Sequence, residues 1–246
     1  MKRFRITIEY DGTFFVGWQR QENGLGVQEV LEDAIEKLSG QRAHIQCAGR
    51  TDAGVHALAQ VAHFDLTLDW TPEKIRGGLN HHIGSHQISI LAAKEVDCNF
   101  NARFDAIQRS YLYLITNRRA PLALKKGRSW WIPVELDVFK MEKAARSLIG
   151  KHDFSTFRAS YCQARSSIKT LDHIDVKRNG DDIEITLMAR SFLHHQVRNI
   201  VGTLRLVGEG KWTLQDFKNA LKAKDRTKGG QTAPASGLYL VSVKYN

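Results

Sequence analysis

The chain is poor in the residues that staple or stiffen a fold, with only three cysteines and four prolines among 246 residues. Cys47, Cys98 and Cys162 are odd in number and far apart, which argues against a disulfide framework and fits a reducing cytoplasm. No apolar run approaches the roughly 18 residues of a membrane span, so no membrane association is expected. Met1-Lys2-Arg3-Phe4-Arg5 runs straight into an alternating strand pattern and has no signal-peptide apolar core. Gly-x-x-x-x-Gly-Lys and Gly-x-Gly-x-x-Gly are both missing, so a nucleotide cofactor has no recognisable cradle. Ten histidines are present without any Cys-x-x-Cys pair, and a zinc site lacks support. The adjacent pairs His81-His82 and His194-His195 would point to different faces of any element. Asp52 has no acidic neighbour before Asp65, so two-carboxylate glycoside chemistry is not indicated either.

Hydrophobic residues make up 42% and charged residues 25%, the balance of a globular protein with room for a substantial core. Net charge is +10, and its distribution is uneven. Residues 1–117 hold 12 Lys and Arg against 14 Asp and Glu, a net of −2, whereas residues 118–246 hold 24 against 12. A basic half suggests a polyanionic partner, nucleic acid above all, although a solvated basic surface explains the charge equally well.

The pattern of elements is regular. Phe4, Ile6, Ile8 and Tyr10 alternate as a strand, broken by Asp11-Gly12-Thr13 and an aromatic loop through Trp18. Val27 to Leu38 recur at helical spacing and end at Gly40. Short strand patterns, His44–Ala48 and Gln60–Leu66, flank Asp52; Thr71-Pro72 opens a second helix, and 87–96 reads as a strand. The second half repeats the order. It has a strand at 110–116, an Asp137-capped helix running to Ile149, and strands 167–177 and 182–190 around Asn179-Gly180. Helices then follow near 195–207 and after Thr213, before a closing strand 237–245. Two successive βαββαβ units predict an α+β, doubly ferredoxin-like fold. Antiparallel sheets would form a central platform and cleft, with helices on the opposite face. The basic linker 118–128 suggests domains 1–117 and 118–246.

The candidate chemistry centres on Gly49-Arg50-Thr51-Asp52-Ala53-Gly54. On its own, Thr-Asp-Ala-Gly is a turn whose Asp bonds its own backbone. A single carboxylate held by glycines also suits covalent catalysis, with a nearby cation favouring its charged form. Arg198, at a strand-to-helix junction, is the candidate cation, or else an ordinary helix-surface arginine. Tyr111 could stack on a base, and Leu238 could wall an apolar pocket; singly, both read as core residues.

Together these motifs resemble the TruA-type tRNA pseudouridine synthases across nearly the whole chain. The matching strings are Tyr10-Asp11-Gly12-Thr13 with Gly17-Trp18-Gln19, then Gly49 to His56, Phe100-Asn101-Ala102-Arg103-Phe104 and Tyr111-Leu112-Tyr113. They continue through Gly150 to Phe154, His195 to Gly202, and Ala233-Pro234 with Gly237-Leu238. Departures are Ala59, where the family usually has Gly, and Asn80-His81-His82-Ile83-Gly84, where it has Asn-x-x-Leu-Pro.

The resemblance implies a cytoplasmic, cofactor-free, metal-free homodimeric isomerase that converts uridine to pseudouridine at positions 38, 39 and 40 of the tRNA anticodon arm. It implies Asp52 as nucleophile, attacking either C6 of the base or C1′ of the sugar, with Arg198 paired to it. Tyr111 would stack on the base and help remove the C5 proton, Arg50 would fill the space of the extruded nucleotide or bind the backbone, and Leu238 would line the pocket. Rival readings are an RNA-binding or folding-helper module with a structural Asp52, and a histidine-based phosphodiesterase.

Overall fold

The computed structural model describes residues 1–67 and 69–246. It is an α+β protein whose chain divides into two compact units, Met1–Ile107 with Tyr239–Asn246, and Gln108–Leu238.

In the first unit, β1 (Lys2–Tyr10) lies at the centre of an antiparallel sheet between β3 (His56–Leu66) and β4 (Ile88–Val96). The alternation of β1 sets its register. Phe4 faces Phe64, Ile6 faces Ala62 and Ile8 faces Gln60, and the three β1 side chains are fully buried. The other edge of β3 is shared. The short β2 (Gln46–Cys47) pairs with its distal half at Ala62 and His63, and β10 (Leu238–Lys244) pairs in parallel with its start at His56 and Ala57. α1 (Val27–Ser39) buries Val27, Val30, Leu31, Ala34 and Ile35 and ends at Gly40, whose φ of 69° closes the helix in the left-handed region. α2 (Pro72–Ile83) starts at a Thr71 cap, with proline in its first turn as expected. It packs on α1 and on β4. Asn80 fastens it to β4, donating to the Ile90 carbonyl at 3.0 Å and accepting the Ile90 N–H at 2.8 Å. The atypical 80–84 stretch thus begins with a residue occupied by sheet–helix bonding.

The second unit is built on β5 (Gln108–Asn117), β9 (Asp182–Ala189), β8 (Ile168–Asn179) and β7 (Gly150–Asp153), successive antiparallel neighbours, with β6 (Trp130–Ile132) parallel to β5. Helices α3 (Val138–Arg146), α4 (Gln196–Gly208) and α5 (Leu214–Ala223) pack together, and α3 also packs on β8. The expected hairpin forms, its first strand running two residues further than predicted. Asn179 pairs with Asp182, so Gly180 and Asp181 make the loop; Gly180 has φ 59° and Asp181 does not have a positive φ, which fits a type II′ rather than an Asn-Gly type I′ turn. α3 stops at Arg146, short of the expected Ile149, because the Ser147, Leu148 and Ile149 N–H groups bond three residues back in a tightened turn.

The unit boundary also differs from the expected 117/118. β5 pairs along its length with β9 and so belongs with the second unit from Gln108 onward, while the last strand returns to β3 of the first. The charge asymmetry survives this reassignment, at −2 for the first unit and +12 for the second.

Arg3 on β1 grips Asp65 on β3 with two parallel bonds of 2.7 Å. The Arg3 hydrogen bond holds the Asp65 carboxyl below its usual range. A depressed folded-state pKa means the contribution is complete above the unfolded carboxylate value of roughly 3.9. It is lost as pH falls through the folded value. Asp65→Asn is therefore expected to lower the melting temperature at pH 7 and to flatten its decline below about pH 4. Parallel melting-temperature curves for the two proteins would refute this linkage.

Candidate active site

Asp52 lies on the connection from β2 to β3, and the segment after β1 holds that connection in place. Gly17 and Asp52 form an isolated antiparallel bridge. The Trp18 N–H donates to the Thr51 carbonyl at 3.0 Å, and the Gly54 N–H donates to the Phe15 carbonyl at 3.3 Å. The Tyr10 and Thr51 hydroxyls share a buried hydrogen bond of 2.8 Å. Gln60, fully buried on β3, donates to the Gly49 carbonyl at 2.6 Å. The loop is thus bonded through residues 49, 51, 52 and 54, immediately around the acid.

Two glycines make this approach possible. A Cβ on Gly12 would collide with the Val55 carbonyl oxygen, far inside van der Waals contact. Gly17 has φ of 113°, and a Cβ there would lie 2.7 Å from the Thr51 carbonyl oxygen. The Gly12 N–H donates to Nδ1 of buried His56 at 3.0 Å, and the His56 ring stacks on Tyr239 at 4.7 Å. Asp52 is half-buried and Arg50 is exposed on the same loop. Sequence reasoning placed Gly12, Gly17, Thr51 and His56 in motif strings but assigned none of them a part in holding the Asp52 loop; the Asp-Gly and Gly-Trp pairs after β1 were the available signal.

Cys47, at the start of this connection, is not a competing nucleophile. Burial pushes its thiol up to about 12, opposed in part by the charges of Arg50 and Arg103. His82 and His86 are four residues apart, a spacing that pairs metal ligands on a helix. α2 nevertheless ends at Ile83 and the chain turns at Gly84, so the two histidines do not share a helical face.

In the second unit Tyr111, on β5, is buried and meets Phe192 edge to face at 5.1 Å. Arg198 stands in the first turn of α4, after His195, a non-glycine residue with φ of 61°. Such a conformation is uncommon. Here the Gln196 side chain accepts the Leu193 N–H at 2.8 Å, and the Asn199 N–H bonds the His195 carbonyl at 2.8 Å. The Arg198 Nε donates to the Ala233 carbonyl at 2.8 Å, and the Ala233 N–H returns a bond of 3.1 Å to the Arg198 carbonyl. The strap 229–238 lies hard against α4, since a Cβ on Gly202 would collide with the Gln231 carbonyl. It then crosses β5, where the Tyr113 hydroxyl donates to the Pro234 carbonyl at 2.8 Å and delivers buried Leu238 to the start of β10. Arg50 and Asp52 are therefore placed by the first unit, and Tyr111, Arg198 and Leu238 by the second.

The family model for tRNA pseudouridine synthase matches residues 6–105 and 144–246. The chain belongs to the tRNA pseudouridine synthase family. It is 58% identical over 246 residues to the tRNA pseudouridine synthase A of Paramagnetospirillum magneticum, covering all of this chain and 96% of that one. The corresponding protein of Beijerinckia indica is 55% identical over 245 residues, covering 100% and 94%. That of Sinorhizobium fredii is 52% identical over 247 residues, with both chains fully covered. Among solved structures, a Cbf5-Nop10-Gar1 complex aligns with 82% of this chain and 45% of that chain, at 12% identity and a TM-score of 0.36. That likeness is too loose to carry an argument.

As a pseudouridine synthase the chain is an isomerase that acts on uridine in tRNA. Arg50, Asp52, Arg198 and Leu238 fall inside the matched stretches, whereas Tyr111 lies between them.

The clamp on the Asp52 loop yields a prediction. Gly12→Ala is expected to lower the melting temperature and slow pseudouridine formation by roughly 10²-fold, the scale of a 1 Å misplacement. Tyr10→Phe removes one buried hydrogen bond and is expected to lower stability by about 1 kcal/mol. Thermal melts and single-turnover rates measure both, and a Gly12→Ala protein with normal turnover would contradict the clamp.

Proposed function

We propose that this chain isomerises uridines 38, 39 and 40 in the anticodon arm of cytoplasmic tRNA, with Asp52 as the nucleophile. One observation carries this reading most strongly: a half-buried carboxylate whose loop is bonded on both sides and flanked by an exposed arginine.

In the reaction the N1–C1′ bond breaks, the uracil turns, and a C5–C1′ bond forms. The C5 proton departs, N1 takes up a proton, and no electrons leave or enter. Asp52 attacks C6 or C1′ and is released when the new bond is complete. The uridine first leaves its stack, at a cost of roughly a few kcal/mol, and Arg50 fills the vacated space. Arg198 serves as the counter-charge to Asp52, because a neighbouring cation favours the charged carboxylate. Its backbone-anchored Nε leaves the guanidinium fork a fixed direction. Tyr111 stacks on the base and assists departure of the C5 proton, and Leu238 provides an apolar wall. The basic second unit meets the phosphates, and two copies of the chain work as a homodimer.

Mapping pseudouridine in unmodified tRNA transcripts after incubation with the protein tests the assignment directly. Product confined to positions 38–40 is expected; product elsewhere, or none, would overturn it. Arg198→Lys is expected to reduce kcat more than tRNA affinity, since lysine cannot reproduce a forked contact. A variant with near-normal kcat would remove Arg198 from the mechanism. Affinity should fall steeply with salt, as counterion release requires, and a salt-insensitive Kd would rule out the basic face as the docking surface.

A further inference from the structure

The turn 100–105 has no part in the reaction as proposed, yet three hydrogen bonds from elsewhere in the first unit and three within the turn brace it. Arg3 donates to the Phe100 carbonyl at 2.8 Å, and the Tyr245 hydroxyl donates to the Ala102 carbonyl at 2.7 Å. The Ala102 N–H donates to Nδ1 of His63 at 3.2 Å. Burial pushes the His63 pKa down, so the ring remains a neutral acceptor. The Asn101 side chain accepts the N–H groups of Arg103 and Phe104 at 2.9 and 3.1 Å, and the Asp105 carboxylate accepts the Asn101 N–H at 2.7 Å.

Bonding on this scale points two side chains outward. Phe104 is 69% exposed and Arg103 is exposed, with its guanidinium 5.5 Å from the Phe104 ring centroid. A single exposed phenylalanine is ordinary; the position of this one is not. Ala102 is fully buried in one apolar cluster with Ala48 and Val61, and Ala48 lies two residues before Arg50. The turn is therefore packed on the root of the Asp52 loop.

We propose that Arg103 and Phe104 form a nucleotide-binding contact beside the Asp52 loop, in which an unpaired base next to the target uridine stacks on Phe104 and its phosphate meets Arg103. An aromatic face accepts any base, and a guanidinium pairs with phosphate oxygens. Arg103 covers one side of the ring and leaves the other to the base. A rigid turn suits this task because little side-chain and no loop ordering is required on binding. The contact rests on the tRNA reading above. It adds a clamp on the neighbouring nucleotide that holds the target in place during turnover of its base.

The test uses the full-length protein and a tRNA transcript carrying 2-aminopurine beside a target uridine. Phe104→Ala is expected to weaken tRNA binding roughly 5- to 140-fold, the range for loss of one stacked base. The loss should fall on KM rather than kcat, and the quenching of 2-aminopurine on binding should disappear. Phe104→Trp should restore both affinity and quenching, whereas Phe104→Leu should restore neither. Arg103→Ala should weaken binding and reduce the salt dependence of log Kd by about one counterion. Unchanged affinity in Phe104→Ala, or full rescue by leucine, would overturn the proposal. Asp52 variants report separately, through loss of product with tRNA binding retained, so failure of the stacking contact is distinguishable from failure of the catalytic reading.

Discussion

The structure of the first unit depends on two stretches of backbone lying closer than side chains would permit. Gly12 sits against the Val55 carbonyl and Gly17 against the Thr51 carbonyl. The pairs Trp18–Thr51, Phe15–Gly54 and Gly17–Asp52 then bind the segment after β1 to the loop that carries Asp52. A nucleophile is useful only when its direction is fixed before the substrate arrives. For the loop that carries Asp52, the proposed nucleophile, main-chain bonds and two missing Cβ atoms supply that constraint on the backbone.

The second unit uses the same device at α4. Gly202 and Gly230 let the strap 229–238 touch the helix, and the Thr203 hydroxyl accepts the Gly230 N–H at 2.9 Å. Buried Asn199 binds this region together. It donates to the Phe157 carbonyl at 2.9 Å and accepts from Arg226 and Thr232. Arg198, beside Asn199, is thus carried by a helical turn held through several side-chain hydrogen bonds. In both units the residues proposed for chemistry stand next to glycines and buried amides that fix the local backbone.

Much of this was legible in the sequence because local rules agree with the tertiary structure. Gly40 and Thr71-Pro72 mark helix ends, and Thr213 forms the capping box that its pairing with Asp216 allows. Phe4, Ile6, Ile8 and Tyr10 lie on one buried face, as alternation predicts. β6 and β7 went unread because three and four residues are too few to establish a period. The destination of the last strand was also hidden. Its apolar pattern is satisfied by any sheet edge, and only long-range pairing places it on β3. The site followed the same division. Asp52, between two glycines, can be picked out by type and spacing, but Gly12, Gly17 and His56 owe their importance to contacts more than thirty residues away in the chain. The local pattern marks the glycines after β1 but not the partners they meet.

What the clamp is proposed to serve is one carboxylate oxygen of Asp52, and replacing it while preserving shape is the sharpest test. Single-turnover pseudouridine formation should be measured with Asp52→Asn on a full-length tRNA transcript, alongside the Kd of the same pair. The account predicts no detectable product with the tRNA affinity and melting temperature of the parent protein retained. Pseudouridine formed by Asp52→Asn at a rate near that of the parent would contradict it.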